Sequence, residues 1–157
     1  VKQRNVFARY PSIRLLAGQN AVIETYLART WPRRFRGLLG KRALCQNEGL
    51  LLSPCRSIHT FGMPYAIDVV FLDEQARILA IEPHVQKGRV LKCSPAHATL
   101  ELRSGAARRH GLQVGQCLRE ASIGQSLGRL GNGGPAGSLT DKEYLRTEIL
   151  ETEENIV

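Results

Sequence analysis

Ser57, His59 and Asp68 supply the residue types of a hydrolase triad: a hydroxyl, an imidazole to take its proton, and a carboxylate to orient the imidazole. Ser57 and His59 are two positions apart, so on an extended strand they face the same side. Asp68 follows across a turn marked by Gly62 and Pro64. Residues flanking one turn can meet, and Arg36 can add a charge-assisted bond to Asp68. With Thr60 and Met63 from the turn itself, the candidate ligand-binding set is His59, Asp68, Thr60, Met63, Arg36 and Ser57. A plainer reading competes with catalysis. Asp68 accepts hydrogen bonds from backbone N–H groups in the turn, His59 helps to fix it, and Arg36 pins a helix to the sheet through the same cluster. Glu101 can play the same part as Asp68, and Met63 reads first as a core or pocket-lining residue.

Other chemistry is poorly provided for. Cys45, Cys55, Cys93 and Cys117 are far apart and form no C-x-x-C pair, which argues against a zinc ribbon or a thioredoxin-type motif. They read as buried free thiols. Cys55 and His59 are the one Cys/His pair close in sequence, too little for a metal site by itself. Gly37 to Lys41 lacks the spacing and the Ser/Thr of a phosphate loop. Gly131 to Gly134 has no strand before it to make a dinucleotide fingerprint, and there is no Gly-x-Ser-x-Gly elbow. No cofactor is expected.

The elements that must position these residues read as mainly β, a compact sandwich-like or barrel-like sheet with short helices near 31–39 and 104–110. Residues 12–16 suit a first strand, with Gly18 to Asn20 as a turn. Ala21 to Ala28 alternates and reads as a strand. Thr30 is placed to cap a helix with Pro32 in its first turn, Phe35, Leu38 and Leu39 on its apolar face and Gly40 at its end. Short strands follow at 49–52 and around Ile58. Ile67 to Leu72 is nearly continuous apolar sequence, suited to a strand buried on both faces, and pairs as a hairpin with residues 77–83. A longer basic loop with a short strand near 89–92 leads to Thr99–Arg103, where Leu100 and Leu102 face one way and Glu101 the other. Ser104 is placed to cap the second helix, and a last strand follows Leu118.

The 157 residues suit one domain at 12–120, followed by a Gly-rich linker at 121–140 and an acidic, helix-compatible tail at 141–157. The tail carries a net charge of −4 and residues 1–140 one of +12, within an overall +8. The tail is expected to lie outside the core, so that truncation after Glu120 leaves a folded domain. A body this basic attracts nucleic acid, anionic lipid or an acidic partner. Arg33, Arg34, Arg36, Lys41, Arg42, Arg108 and Arg109 are the candidates, although few aromatics interleave with them. No apolar run is long enough for a transmembrane helix, and no signal peptide is visible. As written the chain reads as cytoplasmic, or as periplasmic or envelope-associated if an upstream export segment has been removed.

Five stretches together carry a resemblance: 34–40 (RFRGLLG), 48–52 (EGLLL), 58–73 (IHTFGMPYAIDVVFLD), 100–105 (LELRSG) and 111–116 (GLQVGQ). In order and content the chain resembles domain-of-unknown-function family 192, small proteins of bacteria and archaea, over about residues 20–120. The resemblance implies a compact, mainly β, sandwich-like domain with short helices and no assigned activity. It also implies an envelope setting, since many relatives carry an export or anchor segment and some lie near pilus or secretion genes. Where many members have Trp-Met-Lys-Asn in the central turn, this chain has His59 to Met63, so the lysine is absent while Met63 and Asp68 are kept.

The leading expectation is a non-catalytic binding or accessory domain for a small ligand or a cell-envelope or pilus-associated partner. The alternatives are a hydrolase using His59 near Asp68 and a polyanion-binding basic domain.

Overall fold

The computed structural model describes residues 7–17 and 21–121, all within one compact unit. The expected turn at 18–20, linker and acidic tail lie outside the described residues. Among the described residues nine strands and two short helices follow one another as β1 (Ser12–Ala17), β2 (Ala21–Ala28), α1 (Trp31–Arg36), β3 (Glu48–Leu52), β4 (Ser57–His59), β5 (Ile67–Leu72), β6 (Ile78–Val85), β7 (Val90–Lys92), β8 (Ala98–Arg103), α2 (Ala106–Arg109) and β9 (Arg119–Glu120). Seven strands form one curled sheet in the order β6-β5-β8-β3-β2-β1-β9, a half-barrel, and β4 pairs with β7 in a separate two-stranded sheet. The mainly β expectation holds.

The apolar pattern explains the layering. All six residues of β5 are buried. Ile67, Val69 and Phe71 pack with Leu38, Leu50, Leu52, Ile58 and Met63 on one face of the sheet. Val70 and Leu72 pack with Ile23, Leu100, Leu102, Ala106 and Ala107 on the other. Burying each of the larger side chains contributes roughly 1.5–3 kcal/mol. Gly49 allows the sheet to pack closely there, since a Cβ on it would stand 2.9 Å from Leu100 Cδ1 and 3.1 Å from Leu102 Cδ2. The two faces will be called the α1 face and the α2 face.

One topological feature shapes the site. β2 and β3 are parallel neighbours, in a sheet whose other pairs are antiparallel. A parallel pair needs a crossover rather than a hairpin. The crossover is residues 29–47, which contain α1 and the loop after it.

Four local expectations are corrected. First, α1 ends at Arg36, not near Leu39: Gly37 has φ 45°, its N–H closes on Arg33 O at 3.0 Å, and only Leu38, beyond the helix, is buried, whereas Phe35 is exposed. Second, Thr30 holds the expected N-cap position, with Pro32 in the first turn, but neither expected side-chain cap forms. Thr30 makes no side-chain capping bond, and α2 starts from Gly105 in the left-handed region while the Ser104 hydroxyl bonds elsewhere. Third, the strands that carry His59 and Asp68 on either side of Gly62 do not bring the two together. β4 joins β7 (His59 opposite Val90), whereas β5 lies between β6 and β8. The β5–β6 hairpin itself is present. Fourth, the four cysteines are free but not buried, Cys45 being exposed and the others half-buried.

Candidate functional site: a cleft floored by Glu101

Strand alternation on β8 sends Leu100 and Leu102 to the α2 face and Glu101 to the α1 face, into the space spanned by the crossover. Glu101 is 3% exposed, and its Oε2 has no hydrogen-bond partner. The Leu38 backbone N–H bonds to the carboxylate, and a Cβ on Gly37 would stand 3.3 Å from both of its oxygens. The glycine that ends α1 is thus also the residue that lets the chain close over Glu101. Lys41 adds a positive charge nearby, but its ammonium donates to Gly37 O. Burial pushes the Glu101 carboxyl up to about 7, with the Lys41 charge and the Leu38 N–H acting the other way. Lys41 is pushed down, first by burial and then by Arg36, against the pull of Glu101.

Glu101 lines an open cleft of about 120 Å³, walled by Arg34, Phe35 and Arg36 of α1, Leu38 and Leu39 of the loop, Leu52, Met63, and Ser57, Ile58 and His59 of β4. Four of the six residues singled out from sequence, Arg36, Ser57, His59 and Met63, therefore line one cleft. Its rim is aromatic. Trp31 stacks on Phe35 (centroids 5.3 Å), the His59 ring sits edge-on to Phe35 (6.3 Å), and Phe61 lies 5.7 Å beyond His59. Trp31, Phe35 and Phe61 are 67%, 66% and 54% exposed, an unusual degree of exposure for such large rings side by side.

The other two sequence candidates lie elsewhere. Thr60 is fully buried and clamps the loop that returns to β7. Its hydroxyl donates to Gln86 O (2.7 Å) and accepts from Arg89 N–H (3.0 Å), and its backbone bonds Arg89 and Gly88. Thr60 thus holds His59 and Met63 in place from behind. Asp68 is fully buried on the α2 face, where Oδ1 accepts from His84 N–H (2.9 Å) and Oδ2 from Ala107 N–H (3.0 Å). It meets neither His59 nor Arg36. The expected His59–Asp68 contact is corrected because successive residues of a strand alternate in face and α2, not β4, covers the side that Asp68 takes. The idea that Asp68 accepts backbone N–H groups is right, but the donors come from β6 and α2 rather than from the turn.

Sequence reading missed the aromatic rim by placing Phe35 in the core. The i, i+4 spacing of Trp31 and Phe35 on a helix otherwise made of Pro and Arg was the available signal. It also missed His84, whose ring Nδ1 lies 2.5 Å from Ser104 Oγ. His84 has φ 54°, uncommon for a non-glycine residue. With Arg103 and Tyr65 the pair borders a second cavity of about 370 Å³ whose apolar walls include Leu38, Leu44, Ile67 and Leu102.

Several of the basic candidates are occupied. Arg42 makes a bidentate pair with Glu48 (2.8 and 2.9 Å), Arg33 lies over the Tyr10 ring and bonds Arg9 O, and Arg34 bonds Arg29 O. Tyr65 Oη lies 3.0 Å from Lys41 O and 3.1 Å from Arg42 O, bracing the crossover against β5. Among the described residues no group of three or more His, Cys, Asp or Glu side chains is arranged to hold a metal ion, and no helix is long and apolar enough to cross a membrane.

The family model DUF192, described as "Uncharacterized ACR", matches residues 13–119, well over half of the chain. The chain belongs to this family. Two solved structures share the fold. A Sinorhizobium meliloti protein called a "putative transcription regulator" is 20% identical, with a TM-score of 0.65 over 71% of this chain and 95% of that one. A Novosphingobium aromaticivorans protein of unknown function is 21% identical, with a TM-score of 0.62 over 70% of this chain and 84% of that one. At these identities the likeness is one of fold. No curated protein matches the chain. The DUF192 match spans every strand but the ends of the first and last, so it includes β8, β4 and the whole crossover that builds the Glu101 cleft.

Proposed function

We propose that this DUF192 chain is a non-catalytic binding domain whose ligand, a small molecule or a group presented by an envelope partner, seats against Glu101. One observation carries the reading: a buried carboxylate oxygen without a hydrogen-bond partner, in the wall of an open cleft. An unsatisfied buried acceptor costs about 1–3 kcal/mol, more for a charged group, so a donor arriving from outside gains what the fold leaves unmade. The neighbouring strand supports the contrast, because Asp68 has both oxygens bonded and faces no cleft of this kind. The test is a two-dimensional NMR titration of the full chain with a metabolite mixture. Shifts confined to Gly37, Leu38, His59 and Glu101, and lost in Glu101→Leu, are expected. A silent spectrum, or shifts confined to the α2 face, counts against the cleft.

A hydrolase remains as a second reading, moved to different residues. The 2.5 Å contact between Ser104 Oγ and His84 Nδ1 favours it. In that reading Ser104 Oγ bonds the carbonyl carbon of an ester and its proton passes to His84, then to the departing alcohol. Water then gives a proton to His84 and attacks the acyl carbon, whose bond to Ser104 Oγ breaks, so that the acid leaves and the proton returns from His84 to Oγ. A fluorophosphonate probe should label wild type at Ser104 and fail on Ser104→Ala and His84→Ala. Unlabelled wild type removes this reading and leaves the binding domain. The polyanion reading keeps fewer cations than the sequence offered, and its mark is binding that weakens steeply with salt.

A further inference from the structure

We propose that the occupant of the Glu101 cleft is an uncharged, hydroxyl-bearing ring within a longer chain, that is, a unit of a neutral oligosaccharide. This rests on the binding reading above and deepens it.

Three features of the cleft have to be matched at once. The first is the acceptor, Glu101 Oε2, which has no partner. The second is a donor. Arg36 lines the same cleft, and its guanidinium makes no hydrogen bond or ion pair among the described residues. The third is apolar surface, the exposed faces of Phe35 and His59. A hydroxyl group serves the first two together, since its O–H donates to Oε2 while its lone pairs accept from Arg36. The C–H face of a saturated ring suits the third, because an aromatic face is electron-rich and attracts the positive edge of a neighbour.

Charge narrows the class. An ammonium ligand would enter among Arg34, Arg36 and Lys41, all cationic, to reach a single carboxylate whose nearest charge is already that of Lys41. An anion would gain Arg36 but meet the Glu101 carboxylate at the floor. A neutral ring incurs neither repulsion.

Size and the aromatic row decide between a free monosaccharide and a chain. About 120 Å³ is well below the ~300–1,000 Å³ of pockets that enclose a ligand, so the cleft takes one ring edge and leaves the remainder outside. The ring contacts continue beyond the cleft lining, from Phe35 to Trp31 and from His59 to Phe61. Units flanking the seated one therefore also find exposed rings to lie on.

The experiment titrates the full chain with cellohexaose, maltohexaose, chitohexaose and mannohexaose, with glucose as a single-unit control and n-butylammonium and inorganic phosphate as charged controls, by NMR and calorimetry. At least one hexaose should shift the amides of residues 34–39 and 57–61 and bind at least about tenfold more tightly than glucose, and Trp31→Ala and Phe35→Ala should each weaken it by about tenfold. Four silent hexaoses overturn the proposal. If butylammonium or phosphate then shifts the same amides, the ligand class is wrong and the cleft reading stands. If nothing shifts them, both fall together. Because Trp31 and Phe35 are mostly exposed, their alanine variants should fold, and circular dichroism confirms it before binding is read.

Discussion

Asp68 and Glu101 are buried carboxylates on neighbouring strands of one sheet, paired one residue out of step: Asp68 stands opposite Leu102, and Glu101 opposite Val69. That single step puts them on opposite faces. On the α2 face, Asp68 finds two backbone N–H groups and ties β5 to β6 and α2. On the α1 face, Glu101 receives a backbone bond from Leu38 and keeps one oxygen unbonded beside a cleft. Burial alone therefore does not say what a carboxylate is for. What matters is whether the element covering it supplies donors. β6 and α2 present an amide to each oxygen of Asp68, whereas the crossover presents the single amide of Leu38 and, for the other oxygen of Glu101, a glycine Cα, a lysine whose ammonium is turned to Gly37 O, and an opening.

The largest effect should come from breaking the satisfied member of the pair. Asp68→Ala removes two bonds and leaves the His84 and Ala107 N–H groups without partners in the interior. Orphaned buried donors cost about 1–3 kcal/mol each, so a total loss of about 3–5 kcal/mol is expected, read as a drop in the urea midpoint. If the midpoint hardly moves, Asp68 does not hold β6 and α2.

The opposite sign is expected for Glu101→Gln above neutral pH. The folded-state value of Glu101 is raised, to about 7 from an ordinary 4.5. The folded protein thus holds that proton more tightly than the unfolded chain. The contribution of this one group to stability is greatest below pH 4.5, falls as the pH rises from 4.5 to about 7, and is nearly exhausted there, continuing to decline above as the folded-state group ionises. Glu101→Gln removes this loss. It should stabilise on the order of 2–3 kcal/mol at pH 8 and hardly at all at pH 4. Melting curves of both proteins at the two pH values check it. Parallel pH profiles would mean that Glu101 is not buried as a carboxylate.

Glu48 sharpens the contrast from the side of partial exposure. It accepts from Arg42 twice, from Cys45 N–H and from Tyr26, and the Arg42 bonds do most to hold it down at about 2. Its contribution is present above pH 4.5 and disappears as the pH falls towards 2. The pair is partly open to solvent, so Glu48→Gln should cost only about 1 kcal/mol at pH 7, and the difference should vanish near pH 2 in acid-unfolding curves.

Much of this architecture was legible because strand patterns are local. The alternation of Ala21–Ala28, the apolar run of Ile67–Leu72 and the position of Glu101 between Leu100 and Leu102 all report a face without reference to the rest of the chain. What covers that face is not local. Asp68 and His59 are close in sequence, yet β4 turns away to pair with β7, and the donors for Asp68 come from residues 84 and 107. The crossover was misjudged for a related reason. Leu38 and Leu39 continue the helical spacing of Phe35, but Gly37 takes a positive φ so that the chain can close on Glu101, and the contact across the fold prevails over the periodicity. Four of the six candidate residues nevertheless meet in one cleft, because Ser57 and His59 share a strand face and Arg36 and Met63 stand at the ends of the segments packed beside it.

The smallest effect on stability is expected at the cleft rim. No residue of α1 is buried, and the helix is held by other means: Pro32 in its first turn, Gly37 at its end, the Arg34 bond to Arg29 O and the Arg33 guanidinium over Tyr10. Phe35 touches the fold mainly through Trp31 and the edge of His59, rings that are themselves at the surface. An exposed stacked pair is worth at most about 0.5–1.5 kcal/mol, and substitutions away from buried features usually stay within about 0.5 kcal/mol. Phe35→Ala should therefore leave the melting temperature within a degree or two, given a shift of roughly 4 °C or more per kcal/mol for a domain of this size, whereas Leu38→Ala, just beyond the end of the helix and fully buried, should cost about 2–5 kcal/mol. Thermal melts of the two variants side by side separate the cases. A Phe35→Ala loss comparable to that of Leu38→Ala would make the aromatic row part of the core, and would remove the argument that it is kept at the surface for a ligand.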